Sequence, residues 1–207
     1  MQLRWNLGLT SEEYVSQQAW RSARLKRCPR HPKGGCGFHF LGTYERLEPA
    51  GALVPRWYCP KAKQTFSLLA DCFAARFPGT LIDIEHVVDE VEQLGAVEAA
   101  AHVLRGHDVH LPGAIRWTRR RLSAVHAALT SLIGLMPDRF LGCQPTLASF
   151  RRALGVEFVL PALRAVAADF LAELPPPLGF GPRRRRLPTR WRRSAHSTGP
   201  DPPRRSR

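Results

Sequence analysis

The sequence predicts a mainly α chain that carries one small β-hairpin knuckle near its N-terminus and a disordered basic tail at its C-terminus. Three observations lead there. Cysteine, glycine and proline punctuate two short β-prone runs, residues 38–46 and 54–59. Apolar residues recur at helical spacing through most of residues 80–174. Beyond Pro175 aliphatic side chains become scarce and Pro, Arg, Ser and Gly take over. With 207 residues, 44% of them hydrophobic, the chain can bury a real core yet suits one domain or two small ones.

Residues 1–27 form the first element. Thr10-Ser11-Glu12-Glu13 reads as a capping box, a hydroxyl and a carboxylate three apart satisfying each other's backbone N–H groups, and predicts a helix to about Arg24. The knuckle occupies residues 28–70 and a helical body residues 71–174. Thr80 caps a helix in which Ile84, Val87, Val88 and Val91 share one face, leaving Asp83, Glu85, Asp89, Glu90 and Glu92 on the wetter one. Gly95 ends it, and residues 96–104 make a short second helix.

A long third helix begins near Pro112. Its apolar stripe is Ile115, Leu122, Val125, Leu129, Leu132 and Met136, and Arg116, Arg119 and Arg120 lie opposite with Trp117 and Arg121 flanking. The three helices make residues 80–122 helix-turn-helix-like. Pro137 stops the third, and residues 146–154 and 156–173 read as two apolar helices suited to packing, to a homodimer or to a protein partner. Residues 175–207 bury too little to offset the entropy of ordering them.

Charge argues about partners. Lys+Arg number 31 against 17 Asp+Glu, a formal charge of +14 and a pI near 10.9, which points to polyanions. Ten arginines and one acid, Asp201, fall in residues 182–207. There Arg183, Arg184, Arg185, Arg186, Arg190, Arg192 and Arg193 combine counterion-releasing charge with Trp191, an aromatic able to stack on a base. Arg116, Trp117, Arg119, Arg120 and Arg121, near the start of a third helix, suit phosphates and guanine edges in a major groove. The bland accounts are a solvated basic face and a tail that only confers solubility. No apolar run approaches a membrane span, so the expected location is cytoplasmic and nucleoid-associated.

Five cysteines, Cys28, Cys36, Cys59, Cys72 and Cys143, are better read as metal ligands or buried thiols than as a disulfide framework. Cys28-Pro-Arg-His31, Cys36 and Cys59 offer three thiolates and one imidazole, the donor set of a tetrahedral structural Zn²⁺. A repeat of the two-residue gap after Cys59 would place a ligand at Ala62 or Lys63, and neither serves. His39 or Cys72 offers a substitute; alternatively Cys36 and Cys59 are small buried residues in a knuckle without metal.

Cys28-Pro-x-His31, Gly42-Thr43-Tyr44-x-Arg46, Arg56-Trp57-Tyr58-Cys59 and Thr65-Phe66-Ser67-Leu68-Leu69 together resemble the zinc-ribbon and helix-turn-helix proteins associated with bacterial insertion sequences and transposases. The resemblance covers residues 28 to about 121. It implies a zinc-ribbon-like knuckle ahead of the helices and DNA binding linked to a mobile element. The missing ligand at Ala62 or Lys63 departs from that pattern, and the few acids after residue 121 do not supply the acidic triad of a transposase nuclease.

His102, His107, Asp108 and His110 cluster in sequence and would be the ligands of a metal-dependent nuclease; a polar helix connection is the plainer account. The expected function is therefore a non-catalytic DNA-binding accessory or regulatory protein, with RNA as an alternative partner. Its rival is a zinc-stapled protein-interaction module that uses the acidic helix and the C-terminal helices.

Overall fold

The computed structural model describes residues 1–106 and 109–181. Strands β1 (Gln2–Trp5), β2 (His39–Glu45), β3 (Leu53–Cys59) and β4 (Gln64–Ala70) form one sheet in the order β1-β4-β3-β2. β1 runs parallel to β4, and the other pairs are antiparallel. The helices among the described residues are α1 (Ser11–Ser16), α2 (Leu81–Leu94), α3 (Val97–Leu104), α4 (Leu111–Leu135), α5 (Pro137–Phe140), α6 (Leu147–Leu154) and α7 (Val159–Val166). None is long and apolar enough to cross a membrane.

The expectation of a mainly α chain with a zinc-ribbon-like hairpin is corrected: the fold is mixed α/β, and its β part is a four-stranded mixed sheet. Two strands escaped the sequence reading for physical reasons. β4 lies between β1 and β3, its residues 66–70 are all buried, and a strand covered on both faces loses the alternation that marks a strand. β1 is four residues long and pairs with Ser67, Leu68, Leu69 and Ala70, so nothing local announces it.

The capping box of α1 is present: Thr10 Oγ1 accepts the Glu13 N–H at 3.2 Å, and the Glu13 carboxylate accepts the Thr10 N–H at 2.8 Å. The helix stops at Ser16 instead of running to Arg24, because Gln18 turns left-handed (φ 48°) into a 3-10 turn, Ala19–Ser22. The turn folds Trp20 back onto Tyr14, which is fully buried, donates its hydroxyl to Leu53 O at 2.7 Å and meets Phe73 edge-on. Tertiary packing here overrides helix propagation.

The helical part has its own core, in which Leu81, Ile84 and Val88 of α2 meet Val125, Leu129 and Leu132 of α4, Phe150 of α6 and Leu163 of α7. α2, α3 and α4 each pack on the other two. Thr80 caps α2 and Gly95 closes it at φ 66°. Three of the five acids of α2, Glu85, Asp89 and Glu92, are spent on contacts inside the molecule. Glu85, 1% exposed, accepts the Val159 and Leu160 N–H groups at the start of α7 (2.7 and 2.8 Å) and also receives Arg151 at 2.9 Å. Glu92 accepts the Leu147 and Ala148 N–H groups that open α6, and Asp89 pairs with Arg151 at 2.6 Å. Glu85 and Glu92 thereby satisfy orphan N–H groups at helix starts and complement the helix dipoles.

Residues 175–181, expected to belong to the disordered tail, form a buried strap; Leu178 is fully enclosed. The Ala75 N–H donates to Pro177 O at 3.0 Å and the Gly181 N–H to Leu174 O at 2.9 Å. The strap approaches the backbone before it so closely that a Cβ on Gly179 would stand 2.1 Å from Leu174 O. Gly179→Ala is expected to destabilise the protein by about 1–3 kcal/mol, the usual effect of overpacking, read as a lowered midpoint in urea. A change within about 0.5 kcal/mol would show that the strap yields freely.

Two buried arginines hold the 71–80 connection to its surroundings. Arg46 donates through Nη2 to the carbonyls of Phe77 (2.8 Å) and Gly79 (3.0 Å) and lies 4.7 Å from the centre of the Phe73 ring. Arg164, 1% exposed, donates to the carbonyls of Asp71 and Leu178 at 3.0 Å and also to those of Phe73 and Pro177. One side chain of α7 thus joins the end of β4, the connection and the strap.

Candidate metal centre

Cys28, His31, Cys36 and Cys59 converge, with their ligand atoms all within 4.8 Å of one another, and can hold a metal ion. Their dimensions are compatible with zinc. Bonds of about 2.3 Å to sulfur and 2.0–2.1 Å to nitrogen set tetrahedral S–N edges near ~3.5 Å, and His31 Nδ1 stands 3.6 Å from Cys28 Sγ and 3.4 Å from Cys59 Sγ. Among the described residues no other group of three or more Cys, His, Asp or Glu is so disposed.

Each ligand arrives on a local turn. Cys28-Pro29-Arg30-His31 closes with the His31 N–H on Cys28 O at 3.2 Å. The chain repeats the device after β3, where Cys59-Pro60-Lys61-Ala62 turns back through Lys63 at φ 48°. The position that looked defective, Ala62, donates its backbone N–H to Cys59 Sγ at 3.4 Å, so it supports the thiolate rather than ligating. The fourth ligand comes from Gly34-Gly35-Cys36-Gly37, where Gly35 (φ 72°) and Gly37 (φ 69°) adopt left-handed backbone that L side chains avoid and so swing Cys36 inward.

The two substitutes considered for the site lie elsewhere. His39 Nδ1 meets Gly37 O at 2.8 Å. Cys72 packs with Tyr14 and Phe73, and burial pushes its thiol up to about 11.

Electrostatics favour a thiolate at Cys28 and oppose one at Cys36. Burial opposes ionisation of Cys28, but hydrogen bonds from His31 and from the Arg30 and His31 backbone outweigh it and bring the thiol down to about 7. Burial, with Cys59 beside it, pushes Cys36 up. Around the cluster only Phe66 is a fully buried neighbour, with Leu3, Leu25 and Phe38 packed against it. A core so small does not hold three loop ends in place by burial alone.

Residues 21–63, which include the four cluster residues, contain ten Lys or Arg, one of them the buried Arg46, and two acids, Glu45 and Glu48; residues 64–181 contain ten and twelve. Lys26, Arg27, Arg30, Lys33, Lys61 and Lys63 are exposed. This concentration is legible in the sequence as a windowed charge count, second to the ten arginines of residues 182–207.

Of the arginines of α4, Arg116, Arg119 and Arg120 are exposed and Arg121 is buried. Arg116 is exposed, Arg119 pairs with Glu98 at the surface, and Arg120 lies 5.4 Å from the centre of the Phe77 ring. Arg121 is 4% exposed, stacked 3.6 Å from the Trp117 ring centre, and burial lowers its pKa to about 10. It belongs to the buried line of α4 with Ala114, Thr118 and Val125, while Ile115 is only half-buried. The helix is therefore rotated relative to the expected stripe in its first half.

His102 and His110 are exposed, and His107 and Asp108 lie outside the described residues, as do Arg183, Arg184, Arg185, Arg186, Arg190, Trp191, Arg192 and Arg193. Comparison with family models, curated proteins and solved structures returns no match for this chain.

Proposed function

We propose that this chain is a non-catalytic DNA-binding accessory or regulatory protein of a mobile genetic element, in which Zn²⁺ at Cys28, His31, Cys36 and Cys59 staples the basic end of the sheet. One observation carries the reading: six exposed cations, Lys26, Arg27, Arg30, Lys33, Lys61 and Lys63, lie within a few residues of Cys28, His31, Cys36 and Cys59 along the chain. Four protein ligands leave no open position for a water, so the ion's role is structural. Three thiolates and a divalent cation leave one surplus negative charge, which the surrounding cations offset. The link to a mobile element rests on the resemblance of the segments between Cys28 and Leu69 to insertion-sequence proteins.

Binding of a short DNA duplex, followed by fluorescence anisotropy, tests this. Each neutralised phosphate adds about −0.9 to the log–log salt slope, so a slope steeper than about −3 is expected. Replacing Lys26 and Arg27 together by Glu is expected to weaken binding at least about tenfold, and Arg116→Glu, which reverses one charge instead of two, only about threefold. Absence of duplex binding, or affinity indifferent to salt, would sink the proposal.

A further inference from the structure

Between the 3-10 turn and the outer strands of the sheet lies an open groove of about 500 Å³ whose walls are Trp20, Arg21, Arg24, Phe40, Thr43 and Trp57. Its size falls in the range of small-ligand pockets, and its composition is unusual for one: three aromatic rings, two guanidinium groups and no carboxylate.

The sheet is built to present it. β2 is an edge strand, and its register with β3 runs Phe40 to Trp57 and then Gly42 to Arg56, so Leu41 is an extra residue in the ladder. Such a bulge re-aims the side chains beside it. Phe40 is consequently 56% exposed although its ring lies 5.3 Å from that of Trp57, and Leu41 beside it is 47% exposed. Trp57 is buried and Trp20 half-buried, so the groove has a fixed floor and an open ring at its lip. On the opposite lip Arg24 Nη1 donates to the carbonyls of Arg21 and Ala23 at 2.9 and 2.7 Å, which holds that guanidinium in place.

We propose that this groove takes one unstacked base of single-stranded DNA, with Phe40 and Trp20 offering ring faces and Arg21 and Arg24 meeting the neighbouring phosphates. Resting on the DNA-binding reading above, it adds to duplex binding a subsite for an unpaired base. Charge complementarity selects the occupant, because arginines at the lip and the surrounding cations of residues 21–63 suit a polyanion and not an apolar peptide. Exposed aromatic rings select the form, since a base offers its π-face to a side chain only when it has left the duplex stack.

The test uses the full chain with labelled dT20, an abasic oligonucleotide of equal length, and a 20-base-pair duplex, with sedimentation velocity alongside. Phe40→Ala removes an exposed ring and leaves the buried floor intact. It is expected to weaken dT20 binding about tenfold, the effect of losing one stacked base, to leave duplex affinity within about twofold, and to bring dT20 down to the abasic level. Phe40→Trp should restore it. Equal affinity for dT20 and the abasic strand, or dT20 binding indifferent to Phe40→Ala while duplex binding persists, overturns the groove proposal alone. Loss of binding to every oligonucleotide overturns both proposals. A concentration-dependent dimer abolished by Phe40→Ala would place a second copy of the chain in the groove and overturn it as well.

Discussion

Cys59→Ser is expected to release the metal and unfold the sheet end of the protein while the helical body survives. Cys59 is fully buried at the end of β3, and its sulfur is one of the two that face His31 Nδ1. Structural zinc is worth about 10–16 kcal/mol in small zinc-binding peptides, against a net stability of about 5–15 kcal/mol for a whole domain. Loss of one ligand therefore exceeds what Phe66 and its few neighbours hold by burial.

Metal analysis should find about one zinc per wild-type chain and far less in the variant. Hydrogen exchange should show the amides of β2 and β3 losing protection while those of α2 and α4, which share a separate core, retain it. His39→Ala and Cys143→Ser, outside the cluster, should keep the metal. Full zinc in Cys59→Ser, or none in the wild type, would remove the staple from the account.

Arg164→Met is expected to destabilise the fold by about 3–5 kcal/mol, lowering the thermal midpoint by roughly 10 °C for a domain of this size. Burial brings the pKa of Arg164 down to about 10, which marks the charge itself as a cost of folding. The four carbonyls it serves decide the sign. Each orphaned buried acceptor costs about 1–3 kcal/mol, and methionine fills similar space without a donor, so the loss exceeds the relief of desolvation. Arg164→Lys is expected to fall between, because an ammonium is a compact donor and cannot span carbonyls of Asp71, Phe73, Pro177 and Leu178 as the planar fork does. Thermal unfolding followed by far-UV circular dichroism reads the effect; a loss below about 1 kcal/mol would mean that water replaces the guanidinium.

What the chain alone determined are features whose partners lie within a few residues. Thr10 and Thr80 stand three residues before the acids that complete their capping boxes, Gly95 follows the last apolar residue of α2, and Val125, Leu129 and Leu132 recur at helical spacing, so all could be read directly. The four residues of the candidate metal cluster were also legible, because thiols and an imidazole are rare and stand close together in three of the four cases. Their mutual approach was not, since Cys59 reaches the others only through the pairing of β3 with β2 and β4.

Tertiary structure alone decided where the charged side chains went. Arg46, Arg121 and Arg164 look in sequence like any surface arginine, and Glu85 like a wet helix position, yet all four are buried. Backbone carbonyls engage Arg46 and Arg164, the N–H groups that open α7 engage Glu85, and the Trp117 ring covers Arg121. Most of those partners lie far away along the chain and every residue type carries the same carbonyl and N–H, so no residue pattern encodes such bonds. β4 lost its alternation because both of its faces are covered, and residues 175–181 became ordered by burying Leu178 in the helical core and by the carbonyls that Pro177 and Leu178 offer to Arg164.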